Sequence, residues 1–185
     1  MTLFAGFQSV GAAIQSANPG DFYGAPEYNA GRGAISDPNG TGIMIGTACW
    51  GILNTNNSQV TQLYTSGAPF AGIVVRSQSE VWADASVPLG YSMTIPPHGS
   101  LEYFIKGSFY VIATSLNSGG VIVQGDIIVQ NNTTGVLYSQ TSLTIPSGYV
   151  QIPGYVVINP APLSTTSPAP TNATGLVVIS NIETF

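Results

Sequence analysis

Charge is scarce in this chain. Only 6% of its residues are charged, where a typical soluble domain carries roughly 25%. Arg32, Arg76 and Lys106 are the only bases, set against eight acids for a formal net charge of −5. So weak a positive field cannot neutralise phosphates, which excludes nucleic acid as a partner. Cysteine is nearly absent too: Cys49 stands alone, so no intrachain disulfide forms, and its place in the apolar run Ile43–Leu53 marks it as a small buried hydrophobe. His98 is the single histidine, which excludes a histidine-based metal site. A Cys49–His98 dyad is set aside because Cys49 sits mid-strand while His98 occupies a Pro-Pro-His-Gly turn. No apolar run approaches the roughly 20 residues of a membrane span, so no membrane partner is expected. The N-terminal stretch has no Lys or Arg ahead of its apolar part and is broken by Gly and Gln, so it is not read as a signal peptide.

Catalytic patterns are missing as well. Asp21, Glu27, Asp37, Glu80, Asp84, Glu102, Asp126 and Glu183 are widely spaced, without the carboxylate pairing that glycoside hydrolysis needs. Gly46 and Gly51 lie in strand-like runs rather than in a strand–loop–helix phosphate cradle, and no calcium loop of the EF-hand kind occurs. The chain is therefore read as a non-enzyme without cofactor or metal.

Neutral polar and turn-forming residues take the place of charge: 19 Ser, 17 Thr, 12 Asn, 9 Gln, 22 Gly and 13 Pro in 185 residues. A free monomer usually stays soluble through dense surface charge, so this composition suggests a surface covered in an assembly. The chain is organised around Ser86–Thr114, which reads as three short strands, Tyr91–Ile95, Leu101–Ile105 and Phe109–Thr114, split by Pro96-Pro97-His98-Gly99 and Lys106-Gly107-Ser108. Ser92-Met93-Thr94-Ile95-Pro96 is echoed by Ser142-Leu143-Thr144-Ile145-Pro146, without a constant period, as reused turn chemistry. Further strands are expected at Gly42–Leu53, Ser58–Tyr64, Pro69–Ser77, Val121–Gln124, Asp126–Gln130, Gly135–Gln140, Ser142–Ile145, Tyr149–Asn159 and Gly175–Glu183. Gly42–Leu53 and Pro69–Ser77 read as buried strands, the former on both faces, and Glu80–Ala83 as a short helical turn or edge. Regular short strands with frequent turns predict an all-β fold, a compact barrel or sandwich (jelly-roll-like) of short antiparallel strands with an extended N-terminal arm. The expected divisions are an arm over 1–40, with at most a helical turn or two at Val10–Ser16, a β-domain over 41–160, a Pro/Ser/Thr linker over 161–174 and a closing strand over 175–185.

Several residues stand out within this plan. Phe4, Phe7, Phe22, Tyr23 and Tyr28 give the arm aromatics that a disordered tail would lack, so it is expected to pack on its own domain or on a neighbour. Tyr103, Phe104, Phe109 and Tyr110 alternate faces along the central strands, so one of each doublet points outward as an interface anchor. Arg76 with Glu80 and Lys106 with Glu102 are possible pairs, with solvated surface charges as the alternative.

The run of motifs GIMIGTACW, GAPFAGIVVRSQSEVW, ASVPLGYSMTIPPHGSLEYFIKGSFYVIAT and GGVIVQGDIIVQNNTTGVLYS resembles the capsid cement (head decoration) proteins of tailed bacteriophages. The matching elements are Gly46 to Trp50, Gly72 to Arg76, Ile95 to Gly99 and Gly107 to Val111, within residues 15–140. The resemblance implies a structural virion protein made in the host cytoplasm. It would sit on the outer face of the head, bind the major capsid protein at local symmetry axes and self-associate, a homotrimer being favoured over a homodimer. On that basis Phe4, Phe7, Phe22, Tyr23, Tyr28 and Arg32 are expected to contact the capsid. Tyr103, Phe104, Lys106, Phe109 and Tyr110 are expected between subunits. The alternative is a receptor- or glycan-binding module of a tail fibre or head appendage; a secreted carbohydrate-active enzyme would need the carboxylate pair and signal peptide not seen above.

Overall fold

The computed structural model describes residues 19–23, 32–52, 59–76, 94–159 and 174–181, and among these every regular element is a strand. Seven lie in the first half: β1 (Arg32–Ser36), β2 (Ile43–Met44), β3 (Ala48–Gly51), β4 (Gln59–Thr61), β5 (Phe70–Val74), β6 (Thr94–Ile95) and β7 (Ser100–Phe104). Five of them close into a barrel in the order β1-β4-β3-β5-β7, while β2 and β6 pair separately. The second half supplies β8 (Ser108–Ser115), β9 (Ile127–Asn131), β10 (Leu137–Gln140), β11 (Tyr149–Asn159) and β12 (Thr174–Asn181), closed in the order β10-β8-β12-β11-β9. The expected all-β barrel is thus present, but as two small barrels rather than one jelly-roll-like body. Each barrel also contains one parallel pair, β1 with β4 and β8 with β10, among otherwise antiparallel neighbours. The sheet begins at Arg32, inside the stretch read as arm, because β1 pairs along β7 from Arg32↔Tyr103 to Ile35↔Ser100.

Alternation decides which core each residue enters, since successive side chains leave opposite faces of a strand. The interior of the first barrel holds Ala34, Cys49, Val60, Val74, Leu101 and Tyr103, with Ile43 and Ile95 from the β2–β6 pair. Ala48 and Trp50 of β3, Ile73 of β5 and Val75 just beyond β5 turn the other way. They join the second core of Phe109, Val111, Ile128, Leu137, Ile152, Tyr155, Val157, Val177 and Ile179. β3 and β5 are therefore buried on both faces and form the shared wall of the molecule. Gln130 fastens that wall. Fully buried, its Nε2 donates to the carbonyls of Ala48 (3.3 Å), Gln62 (3.1 Å) and Gly135 (3.0 Å), and its Oε1 accepts from Trp50 Nε1. A buried amide with every group satisfied holds a unique arrangement rather than weakening the core.

Several expected strands are altered. Gly42–Leu53 is split between β2 and β3 by a turn at Gly46, whose φ of 78° is left-handed and whose N–H donates to Val74 O at 2.8 Å. Val121–Gln124 is a loop because side chains capture its backbone: Ser115 Oγ and Asn117 Nδ2 both donate to Val121 O, and Asp126 Oδ2 accepts from Val123 N. Ser142–Ile145 is likewise a bent connection, with Gln140 Nε2 donating to the carbonyls of Ser142 and Thr144. Tyr149–Asn159 is one strand, and Pro153-Gly154 falls in a register shift between Gln151 and Val156 rather than ending it. The possible helical turn at Val10–Ser16, the element at Glu80–Ala83 and the linker 161–173 lie outside the described residues; Thr174 already belongs to β12.

Candidate assembly surface

β8 is longer than its neighbour. β10 pairs with it only over Ala113–Ser115, which would leave one edge of Ser108–Ile112 open, and an unpaired edge invites another strand. Residues 19–23 fill that place as a strap. Gly20 N donates to Tyr110 O (2.7 Å), Tyr110 N to Asp21 O (2.9 Å) and Tyr23 N to Ser108 O (2.9 Å), while Arg76 N donates to Gly20 O (3.2 Å). The strap thus bonds the second barrel on one side and the chain just after β5 on the other. Its fit is close: a Cβ on Gly46 would stand 2.6 Å from Pro19 Cβ and 2.8 Å from Gly20 N. Phe22 drives its ring between the barrels, edge-on to Phe104 at 4.9 Å and tilted on Phe109 at 5.2 Å. Tyr23 meets Tyr110 edge-on at 5.7 Å. Asp21 Oδ1 lies 3.7 Å from Arg76 Nε, both side chains partly exposed.

The residues singled out for two different surfaces therefore meet inside one chain: Phe22 and Tyr23 of the arm seat on Phe104, Phe109 and Tyr110 of the central strands. Phe109 is fully buried and Tyr103 is 6% exposed, so both are core side chains of their own barrels. Phe104, Lys106 and Tyr110 are half-buried, and Tyr23 is 42% exposed. The backbone of Arg32 starts β1; Phe4, Phe7 and Tyr28 lie outside the described residues. Arg76 meets Asp21 of the strap, and Glu80, its expected counterpart, also lies outside them.

Chemistry does not converge anywhere among the described residues. Cys49 is buried with its Sγ donating to Gly72 O at 3.4 Å; burial pushes its thiol far up, so the reactive thiolate is not available. Burial likewise pushes the Tyr155 phenol up, and that hydroxyl donates to Ile105 O at 2.9 Å. His98 is exposed at φ 62° in its turn, whereas Cys49 is enclosed in the core of the first barrel. No group of three or more potential metal ligands occurs among the described residues.

What the surface offers instead is neutrality, and it is unevenly distributed. From Gly107 to Ile182 the sequence contains one acidic or basic residue, Asp126. That residue is fully buried, its Oδ2 accepting from Asn117 Nδ2 (2.8 Å) and Val123 N (3.0 Å) and its Oδ1 from Thr141 Oγ1 (2.8 Å). The outside of the second barrel is left with groups such as Ile112 (48% exposed) and Leu143 (80% exposed), and with the Thr114–Thr174 hydroxyl pair at 2.8 Å. Counting charge over the whole chain hides this division; counting it by halves would have found it.

Compared with known families, the chain matches the family model described as "Structural cement protein (E217 gp24/Pam3 gp6)" over residues 7–181. No curated protein matches it.

Proposed function

The chain belongs to the phage structural cement protein family, and on that premise we propose that it decorates the outer surface of a bacteriophage head, binding the major capsid protein at local symmetry axes. The observation that carries this reading is the uncharged exterior of the second barrel. A barrel without surface charge lacks the usual protection against association, and that liability becomes useful when the surface is covered by a partner. Neutral contacts repeated over many subunits reinforce a shell through avidity, without a single strong site, and anything that binds only the assembled state stabilises it by mass action.

In this reading residues 1–18, which carry Phe4 and Phe7, reach the capsid from the fixed point of the strap, with Tyr23, Tyr28 and Arg32 beside them. Phe104, Lys106 and Tyr110 line contacts between copies, a homotrimer being favoured, and the role is non-enzymatic. The strap matters because Phe22 and the Gly20–Gly46 contact tie the base of the arm to both barrels, so tension on the arm is passed to the folded body.

The test is the copy number and radial position of the chain in purified particles. Hundreds of copies protruding from the head at local three-fold or two-fold axes are expected. A few copies at the tail would favour receptor or glycan binding instead, and absence from particles would overturn both.

A further inference from the structure

The echo between Ser92–Pro96 and Ser142–Pro146 is not a structural repeat: the first leads into β7, the fifth strand of its barrel, and the second into β11, the fourth. A repeat of another kind relates the two barrels. In each, the first strand lies between the third and the fifth, β1 between β4 and β7 and β8 between β10 and β12. In each, the second lies between the third and the fourth, β3 between β4 and β5 and β9 between β10 and β11. The fourth pairs with the fifth, and the parallel pair is that of first with third.

The register agrees residue by residue. Ile35↔Gln59 and Ser36↔Val60 correspond to Thr114↔Tyr138 and Ser115↔Ser139, every member displaced by 79 positions. β3 opens at Ala48 and β9 at Ile127, again 79 apart, so eleven residues, 37–47 and 116–126, connect first strand to second in both. Those connections are closed by the same bonds. Asp37 N donates to Val60 O at 2.9 Å and Leu116 N to Ser139 O at 2.8 Å. Gly46 N donates to Val74 O and Gly125 N to Val157 O, both at 2.8 Å. In return Val74 N donates to Thr47 O and Val157 N to Asp126 O, both at 2.9 Å. Gly46 and Gly125 both have a left-handed φ, 78° and 92°, which glycine adopts without steric cost. At the same displacement Ala34, Ser36, Gly40, Ile43 and Gly46 recur as Ala113, Ser115, Gly119, Ile122 and Gly125. Ala34, Ser36, Ile43 and their counterparts are all buried, so shared turn chemistry does not account for them.

We infer that the two barrels are copies of one module, duplicated in tandem. Topology alone can converge, but self-similarity at one fixed displacement is the signature of a repeated unit. The neutral exterior of the second barrel is then not a demand of the fold, since the same module carries charge in the first half. It is a property that one copy has and the other lacks.

Two serines test the duplication. Ser115 and Ser139 are both fully buried and oppose each other across β8 and β10. Their counterparts differ, Ser36 for Ser115 and Val60 for Ser139. Ser139 Oγ has no hydrogen-bond partner among the described residues, whereas Ser115 Oγ donates to Val121 O and accepts from Asn117 N. The experiment measures the melting temperature of the full chain. Ser139→Val is expected to raise it by about 2–4 °C, because it removes an unpartnered buried hydroxyl from a place the other copy fills with valine. Ser115→Val is expected to lower it by at least as much. Melting of Ser139→Val at or below wild type would show that the second barrel does not share the interior of the first, and would overturn the duplication. Melting of Ser115→Val at or above wild type would do the same. Neither readout needs a head, so loss of the cement reading would leave the duplication standing.

Discussion

The two barrels have the same strand count and opposite surfaces. The first is made of strands of three to five residues, and Arg32, Asp37, Arg76, Glu102 and His98 lie on or beside it. The second has strands of four to eleven residues, the larger core, and a single residue of the Asp, Glu, Lys, Arg and His kinds, Asp126, which is buried. Longer strands and a fuller core give the second barrel the larger share of buried apolar surface, while charge is concentrated on and beside the first. Core and charge are thus concentrated in different halves, and the shared wall of β3 and β5 makes one molecule of them.

The largest effect should come from breaking that wall. Trp50 packs edge-on against Tyr64 and Phe70 and bonds Gln130 across the junction. Trp50→Ala should remove about 3–5 kcal/mol and leave the Gln130 carbonyl without its donor, a further cost for a buried polar group. Chemical denaturation followed by two probes, one in each barrel, should lose its single coincident transition. If the variant unfolds in one transition close to that of wild type, the wall does not couple the halves.

How far this division can be read in the sequence depends on what sets each element. Where alternation governs, the reading succeeds: Phe109, Val111 and Ala113 face inward on β8 as the period-2 pattern requires, and Tyr149–Asn159 has the expected limits. Where a side chain captures the backbone it fails. Val-Ile-Val-Gln at 121–124 has the composition of a strand, yet Ser115, Asn117 and Asp126 bind its main chain from outside the window. Gly46 fails for a related reason, since apolar neighbours on both sides conceal a turn that exists to admit Pro19 and Gly20. Of the arm aromatics, Phe22 and Tyr23 were legible as packing groups; Phe4, Phe7 and Tyr28 lie outside the described residues. The seat of Phe22 and Tyr23 was not legible, because nothing local tells Phe22 that β8 outruns β10.

The strap gives two intermediate tests of the coupling. Phe22→Ala deletes a ring shared by Phe104 of the first barrel and Phe109 of the second. A half-buried ring of this kind should contribute about 2 kcal/mol, and hydrogen exchange at the Tyr110 amide, bonded to Asp21 O, should quicken more than at Val129 in the middle of β9. Gly46→Ala should cost about 1–3 kcal/mol, through a left-handed φ and a Cβ within 2.6 Å of Pro19. Its signature would be the same faster exchange at Tyr110 with both barrel cores intact. Uniform quickening through both barrels would instead show that the strap is part of the core and not a separate tie.

The smallest expected effect is the most discriminating about charge. Asp21 and Arg76 form the ion pair seen between strap and first barrel, at 3.7 Å on partly exposed side chains. Such pairs are worth roughly 0–1 kcal/mol because solvent screens them and long side chains lose freedom in forming them. Asp21→Asn keeps the volume and the backbone bonds, so its cost should stay below about 1 kcal/mol and shrink further as salt is raised. Head binding, by contrast, should barely respond to salt in either protein, because the barrel proposed to make the contact has no surface charge to screen. A steep salt dependence of head binding, abolished by Asp21→Asn, would transfer the contact from the neutral barrel to the charged strap. The division of labour between the halves would then be reversed, with the first barrel holding the capsid and the second giving only rigidity.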